Sequence, residues 1–386
     1  MRGLALRFTA IRRRSTACDS TIDDGESPPR LPESENLMTV QGALLVGSVN
    51  LPDTESTFRA AADTLGRRLR RVPDGETGDR FHWIVFQADL IGGADGIERV
   101  GDEPVLLRNL DLRPLRFADG VDPARVVLPK LDYARAALES YGTFAALREQ
   151  GVIPAGIRFQ VSLPTPLAVV VALVREEDRA AFEPLYERAL YAELDEILSS
   201  IPHEDLAIQW DTAVEFGLIE SADYGTDYGA TFRAPFEDLW EGLAERARRQ
   251  ASAVPEDVEL GFHLCYGDAG EKHFVEPKDT ANLVRYANLL REVSPRPITW
   301  IHLPVPIERD DEAYFAPLAG LQTEPGTELY LGLVHREDGA EGAQRRAAAA
   351  SAFVSDFGVG TECGIGRAPD GSVPGILETH RVAQEW

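Results

Sequence analysis

The chain has 386 residues, 44% of them hydrophobic and 27% charged, with a formal net charge of −25. This is the composition of a globular protein with a sizeable core, and the acidic balance excludes nucleic acid as a partner, because its phosphate backbone calls for a basic face. The longest apolar run, residues 167–174, falls far short of the roughly 20 residues a membrane helix needs, so no membrane partner is expected.

Residues 1–37 differ from the rest. The first 18 contain five arginines and no acid, and the next 19 are rich in Asp, Glu, Ser and Pro. That composition predicts a disordered extension. An Arg-rich, acid-poor opening also fits a transit peptide, while Met38, just before the first strand, offers a later start. The fold is therefore expected in 38–386, as one domain.

From residue 43 onward, short apolar or β-branched runs alternate with helix-period segments, the pattern of a parallel sheet with crossover helices. Strands are predicted at 43–48, 67–73, 157–163, 206–211, 258–264, 298–303, 329–334 and 357–361. Eight is the number that closes a (β/α)8 TIM barrel. Helices are predicted at 54–65, 122–150, 179–200, 235–250, 277–293 and 340–356. The stretch 73–121 is longer than a βα unit needs and predicts an insertion at the barrel mouth.

Barrel chemistry sits where strands end and βα loops begin. Ser48, Asp74 with Glu76, Asp211, His263 with Cys265, His302, His335 and Cys363 occupy such places. The chain has three cysteines, at 18, 265 and 363. An odd, sparse set makes no disulfide framework and suits a reducing compartment such as the cytoplasm. His263 and Cys265 are two apart on a predicted strand and so face the same side. Imidazole and thiolate are preferred zinc ligands. Cys363 adds a second sulfur, and His302 is the remaining candidate ligand. Gly358 to Gly366 resembles a phosphate-binding glycine loop, but no helix and second strand follow it, so the glycines are assigned to a sharp turn around Cys363.

Taken in order, these segments resemble the catalytic C-terminal barrel of cobalamin-independent methionine synthase, within the superfamily that also holds uroporphyrinogen decarboxylase. Val46-Gly47-Ser48, Asp74-Gly75-Glu76 with Asp79, Ile208-Gln209-Trp210-Asp211, His263-Leu264-Cys265-Tyr266 and Glu362-Cys363-Gly364 carry the resemblance. It implies that Ser48, Glu76 and Asp211 hold the amino-acid end of a thiol substrate. It implies that zinc binds the substrate sulfur, and that His335 donates a proton to the leaving group. Two positions depart from the family pattern: His302 stands where the sixth strand supplies a glutamate ligand, and Thr212-Ala213 follows Asp211 in place of Glu-Pro.

The expected activity is zinc-dependent S-methyl transfer from a donor, folate-type in the family, to homocysteine or a related small thiol, as in methionine biosynthesis. The alternatives are a metal-dependent lyase or hydrolase on the same barrel, or a metal- or ligand-binding homologue without catalysis.

Overall fold

The computed structural model describes residues 39–107, 110–220, 232–267, 272–383 and 385. The expectations for 1–37 lie outside the described residues. Eight parallel strands form the barrel: β1 Thr39–Leu44, β2 Arg71–Pro73, β3 Arg158–Pro164, β4 Leu206–Thr212, β5 Glu259–Leu264, β6 Trp300–Pro304, β7 Glu328–Val334 and β8 Asp356–Thr361. They pair in the order β1-β8-β7-β6-β5-β4-β3-β2. A single parallel bridge, Ala43 to Leu69, joins the two ends and brings the sheet close to full closure. Covered on both faces, the strands read as nearly continuous buried runs; every residue of β4 and β6 is buried.

The interior is layered, because residues two apart on a strand face the same side. Lowest lie Leu44, Ala207, Trp300 and Tyr330. Gly261 and Gly358 make room for the two large rings: a Cβ at Gly261 would sit 1.9 Å from the Trp300 indole, and one at Gly358 2.4 Å from Tyr330. Against this layer Arg71 bridges Glu259 and Glu328 at 3.0 and 2.9 Å, with its guanidinium stacked 4.1 Å from the centre of the Trp300 ring. One step higher come Gln160, Gln209, His263 and His302, all buried. The next step, at the strand ends, carries Asp211 and Cys265.

Several elements differ from the sequence expectation. The strand expected at 43–48 is instead β1, which ends at Leu44; beyond it the carbonyls of Leu45 and Val46 accept from the side chains of Gln160 and Gln209. The strand expected at 67–73 is confined to β2, since Gly66–Arg68 forms a 3-10 turn. The helix expected from 122 starts at Tyr133 and runs to Glu149. Pro129 lies within the expected start, where a missing N–H and the ring oppose a helix interior, and Asp132 has φ +73°. The helix expected at 340–356 is Gly339–Ala350, because β8 begins at Asp356. The apolar run 167–174 forms most of a helix, Pro166–Leu173, that is buried almost all round and so shows no amphipathic period. Its N-terminus is capped by Thr165, whose hydroxyl accepts from the N–H of Ala168. A final helix, Val373–Ala383, was also not anticipated.

Within 73–121 the chain forms a short helix, Gln87–Gly92, and two antiparallel pairs: Ile97–Arg99 with Leu115–Phe117, and Leu106–Leu107 with Leu110–Asp111. No helix among the described residues is long and apolar enough to cross a membrane.

Candidate metal and substrate site

β5 presents His263 inside the barrel and Cys265 just beyond its end, where the Cys265 N–H donates to the Thr212 carbonyl. Cys363 lies two residues past β8. The two sulfurs are 3.7 Å apart, and one ligand atom from each of His263, Cys265 and Cys363 falls within 4.8 Å of the others. The Gly267 N–H donates to the Cys265 sulfur at 3.3 Å, and the Arg367 guanidinium lies 3.9 Å from that of Cys363.

His302 takes a different place from the ligand position expected of it. Its Nε2–H donates to the Thr361 carbonyl at 3.0 Å, and its Nδ1 is 2.8 Å from Nδ1 of His263, so both ring nitrogens are engaged. Burial holds both imidazoles neutral: it pushes His302 down to about 3 and His263 well below the usual histidine range. Nε2 of His263 is buried and has no hydrogen-bond partner. A buried imidazole with one unpartnered ring nitrogen, grouped with two thiols, is a donor set that fits zinc, a borderline-soft ion that takes N and S ligands.

The run Gly364-Ile365-Gly366 folds against Ser48. Ile365 N–H donates to the Ser48 carbonyl at 2.7 Å and Gly366 N–H to the Ser48 hydroxyl at 3.2 Å. A Cβ at Gly364 would meet Ser48 Oγ at 2.4 Å, and one at Gly366 would meet Ser48 Cβ at 2.7 Å. Close approach, and not the expected sharp turn, requires these glycines, since neither has a positive φ.

Asp74 organises the turn after β2. Its carboxylate accepts from the Glu76 N–H at 2.9 Å, the Ser140 hydroxyl at 2.7 Å and Arg80 at 2.6 Å. Glu76 sits at φ +46°, a region non-glycine residues rarely adopt, and such strain concentrates at functional sites. Burial, opposed by Arg80 and reinforced by Asp74, pushes Glu76 up to about 7. Asp211 accepts from Gln209 at 2.9 Å; burial and the Glu76 charge together hold it well above the usual carboxylate range. Two buried carboxyls that oppose each other's ionisation are relieved by a cation.

These groups face a cavity of about 890 Å³. Ser48, Glu76, Asp211, His263, Cys265 and Cys363 all line it. Its remaining wall is largely apolar and includes Trp83, Leu173, Phe232 and Phe274. Neither His302 nor His335 is among the lining residues. His335, expected as a proton donor, has its Nε2–H on the Val305 carbonyl at 2.8 Å.

Three features were not anticipated. Gln209 orients Asp211 and supports the β1 loop; its position two before Asp211 on one strand face was the available signal. Arg367 lies near Cys363 through a turn no periodicity reveals. His273 forms an ion pair with Glu362 at 2.8 Å, tying the loop after β5 to the residue before Cys363. Burial lowers His273, but the bonds to Glu362 and Glu276 outweigh it and bring it up to about 9.

No protein-family model matches the sequence, and a search of curated proteins found no match. Solved structures do match. A B12-independent methionine synthase from Shewanella sp. W3-18-1, in complex with selenomethionine, superposes with a TM-score of 0.52 at 16% identity, over 90% of this chain and 97% of that one. A protein from Listeria monocytogenes, provisionally named a vitamin-B12-independent methionine synthase, gives 0.50 at 14% identity, over 86% and 84% of the two chains. The likeness shows a shared fold: this chain is a TIM barrel.

Proposed function

We propose that this chain is a zinc-dependent thiol alkyltransferase that methylates homocysteine or a related small amino thiol. The observation that carries the reading is the convergence of a His263 ring nitrogen and the Cys265 and Cys363 sulfurs on a cavity that the buried carboxyls of Glu76 and Asp211 also line. Bound there, zinc supplies Lewis acidity that keeps a coordinated thiol as the nucleophilic thiolate at neutral pH. The neighbouring structure, selenomethionine-bound, is that of an enzyme whose name gives methionine as product, which supports the same class of small substrate.

The chain's own residues account for the rest. Glu76 and Asp211, whose ionisation burial opposes, pair with the substrate ammonium group; the pair ionises when that charge arrives. Ser48, held by Gly366, presents its hydroxyl to the substrate's polar end. The apolar wall that includes Trp83, Phe232 and Phe274 excludes water from the reacting sulfur and gives room for the methyl donor. His335 carries no step here, because its Nε2–H is committed to Val305 and the residue is absent from the cavity wall.

The test is metal content of the purified, reduced protein by mass spectrometry, followed by homocysteine titration of the cobalt-substituted protein. One metal per chain, with sulfur-to-cobalt charge-transfer absorption that grows on adding homocysteine, is expected. A protein that takes up no zinc under reducing conditions refutes the reading. A spectrum unchanged by any thiol leaves the lyase or hydrolase alternative in its place.

A further inference from the structure

His302 lies on β6 beside His263 on β5, their Cα atoms paired in the sheet register. It is fully buried. The Thr361 carbonyl can only accept, so Nε2 of His302 carries its proton. In a neutral ring Nδ1 is then a lone pair, and the 2.8 Å contact between the two Nδ1 atoms requires the proton to reside on His263. His263 is thereby fixed with Nδ1–H donating and Nε2 unprotonated. Nε2 is the nitrogen without a partner. Gly360 completes the arrangement: a Cβ there would come 3.1 Å from His302 Nε2, so the ring is seated against bare backbone.

We propose that His302 is a positioning residue and not a metal ligand: through the Thr361–His302–His263 chain it selects the His263 tautomer whose Nε2 lone pair is open to the metal. The inference rests on the proposed metal site. It implies three protein ligands, one nitrogen and two sulfurs, so that an incoming thiol takes a vacant position without displacing a side chain. It also ties His263 to the backbone of β8 two residues before Cys363, coupling the two ligand-bearing strands. Partners of this kind fix ligand tautomers in metal sites, and their loss weakens metal binding roughly 10- to 100-fold.

Two measurements test it. Nitrogen-15 NMR of histidine-labelled, metal-free, reduced protein is expected to show His263 protonated at Nδ1 and His302 at Nε2; the opposite tautomer at His263 overturns the proposal. This readout holds even if the protein takes up no zinc, a result that would sink the metal site but not the tautomer chain. Zinc competition titrations then compare variants. His302→Asn keeps an acceptor for the His263 N–H and is expected to bind zinc within a few-fold of wild type. His302→Leu removes it and is expected to bind about 10- to 100-fold more weakly with unchanged stoichiometry. Wild-type affinity in His302→Leu, or X-ray absorption of the zinc-loaded wild type showing two imidazole nitrogens per zinc, overturns the proposal. Should His302→Leu fail to fold, the wild-type NMR and absorption measurements decide.

Discussion

Replacing Glu76 by Gln preserves the side chain's shape and removes a charge that its surroundings oppose. Glu76 has its folded-state value raised to about 7 from an ordinary 4.5, chiefly by burial. Because the folded chain holds the proton more tightly than the unfolded one, stability falls as pH rises from about 4.5 and levels off above about 7. The difference corresponds to about 3 kcal/mol at pH 8, against about 1 kcal/mol at pH 5. Glu76→Gln escapes this penalty. The variant is therefore expected to be more stable than wild type at pH 8 by up to about 3 kcal/mol, and at pH 5 by no more than about 1 kcal/mol. Urea unfolding of both proteins at the two pH values, followed by tryptophan fluorescence and circular dichroism together, measures the difference. The same variant should bind homocysteine more weakly, since it no longer offers a carboxylate to the ammonium group. A variant less stable than wild type at pH 8, or an advantage that does not shrink at pH 5, would refute the reasoning, because Glu76 would then be ionised and compensated in the folded chain.

Cys265→Ser and Cys363→Ser are each expected to lose zinc while keeping wild-type circular dichroism, as metal analysis beside the wild type would show; zinc retained in either would remove that sulfur from the site. Gly261→Ala drives a methyl group into the Trp300 indole, where 1.9 Å separates the added carbon from the ring. A loss of about 3 kcal/mol or more, or failure to fold, is expected in thermal denaturation, since overpacking a barrel interior leaves no room to relax. His273 lies about 9 in the folded chain against an ordinary 6.5, so its stabilisation is complete below pH 6.5 and is lost as pH rises through about 9. His273→Gln should accordingly be less stable than wild type at pH 6, by up to about 3 kcal/mol, with the gap closing at pH 10; a gap independent of pH would mean that packing alone holds the loop.

The barrel was legible because its signal is local. Eight apolar runs separated by helix-period segments recur along the chain, and all eight predicted strands have a counterpart in the structure. The errors fall where tertiary context overrides local pattern. β1 stops at Leu44, because past it the chain's carbonyls are taken by Gln160 and Gln209 from across the barrel. The helix Pro166–Leu173 hides its period because it is buried on nearly every side. Strand-end position brought Ser48, Glu76, Asp211, His263, Cys265 and Cys363 forward as a group, and the structure sets all six on one cavity.

Position along a strand does not say which partner a ring nitrogen chooses. His302 satisfies every one-dimensional criterion for a ligand, and only the three-dimensional arrangement shows its two nitrogens spent on His263 and Thr361. His335 likewise follows a strand end, yet its Nε2–H is turned to a backbone carbonyl. The sequence by itself determined the fold class and the chemical types gathered at the barrel mouth, since period-2 and helix-period patterning and strand-end placement are properties of neighbouring residues. The tertiary structure decided tautomers, the opposed carboxyls of Glu76 and Asp211, and the 3.7 Å approach of sulfurs 98 residues apart, because each depends on contacts between distant segments that no local pattern encodes.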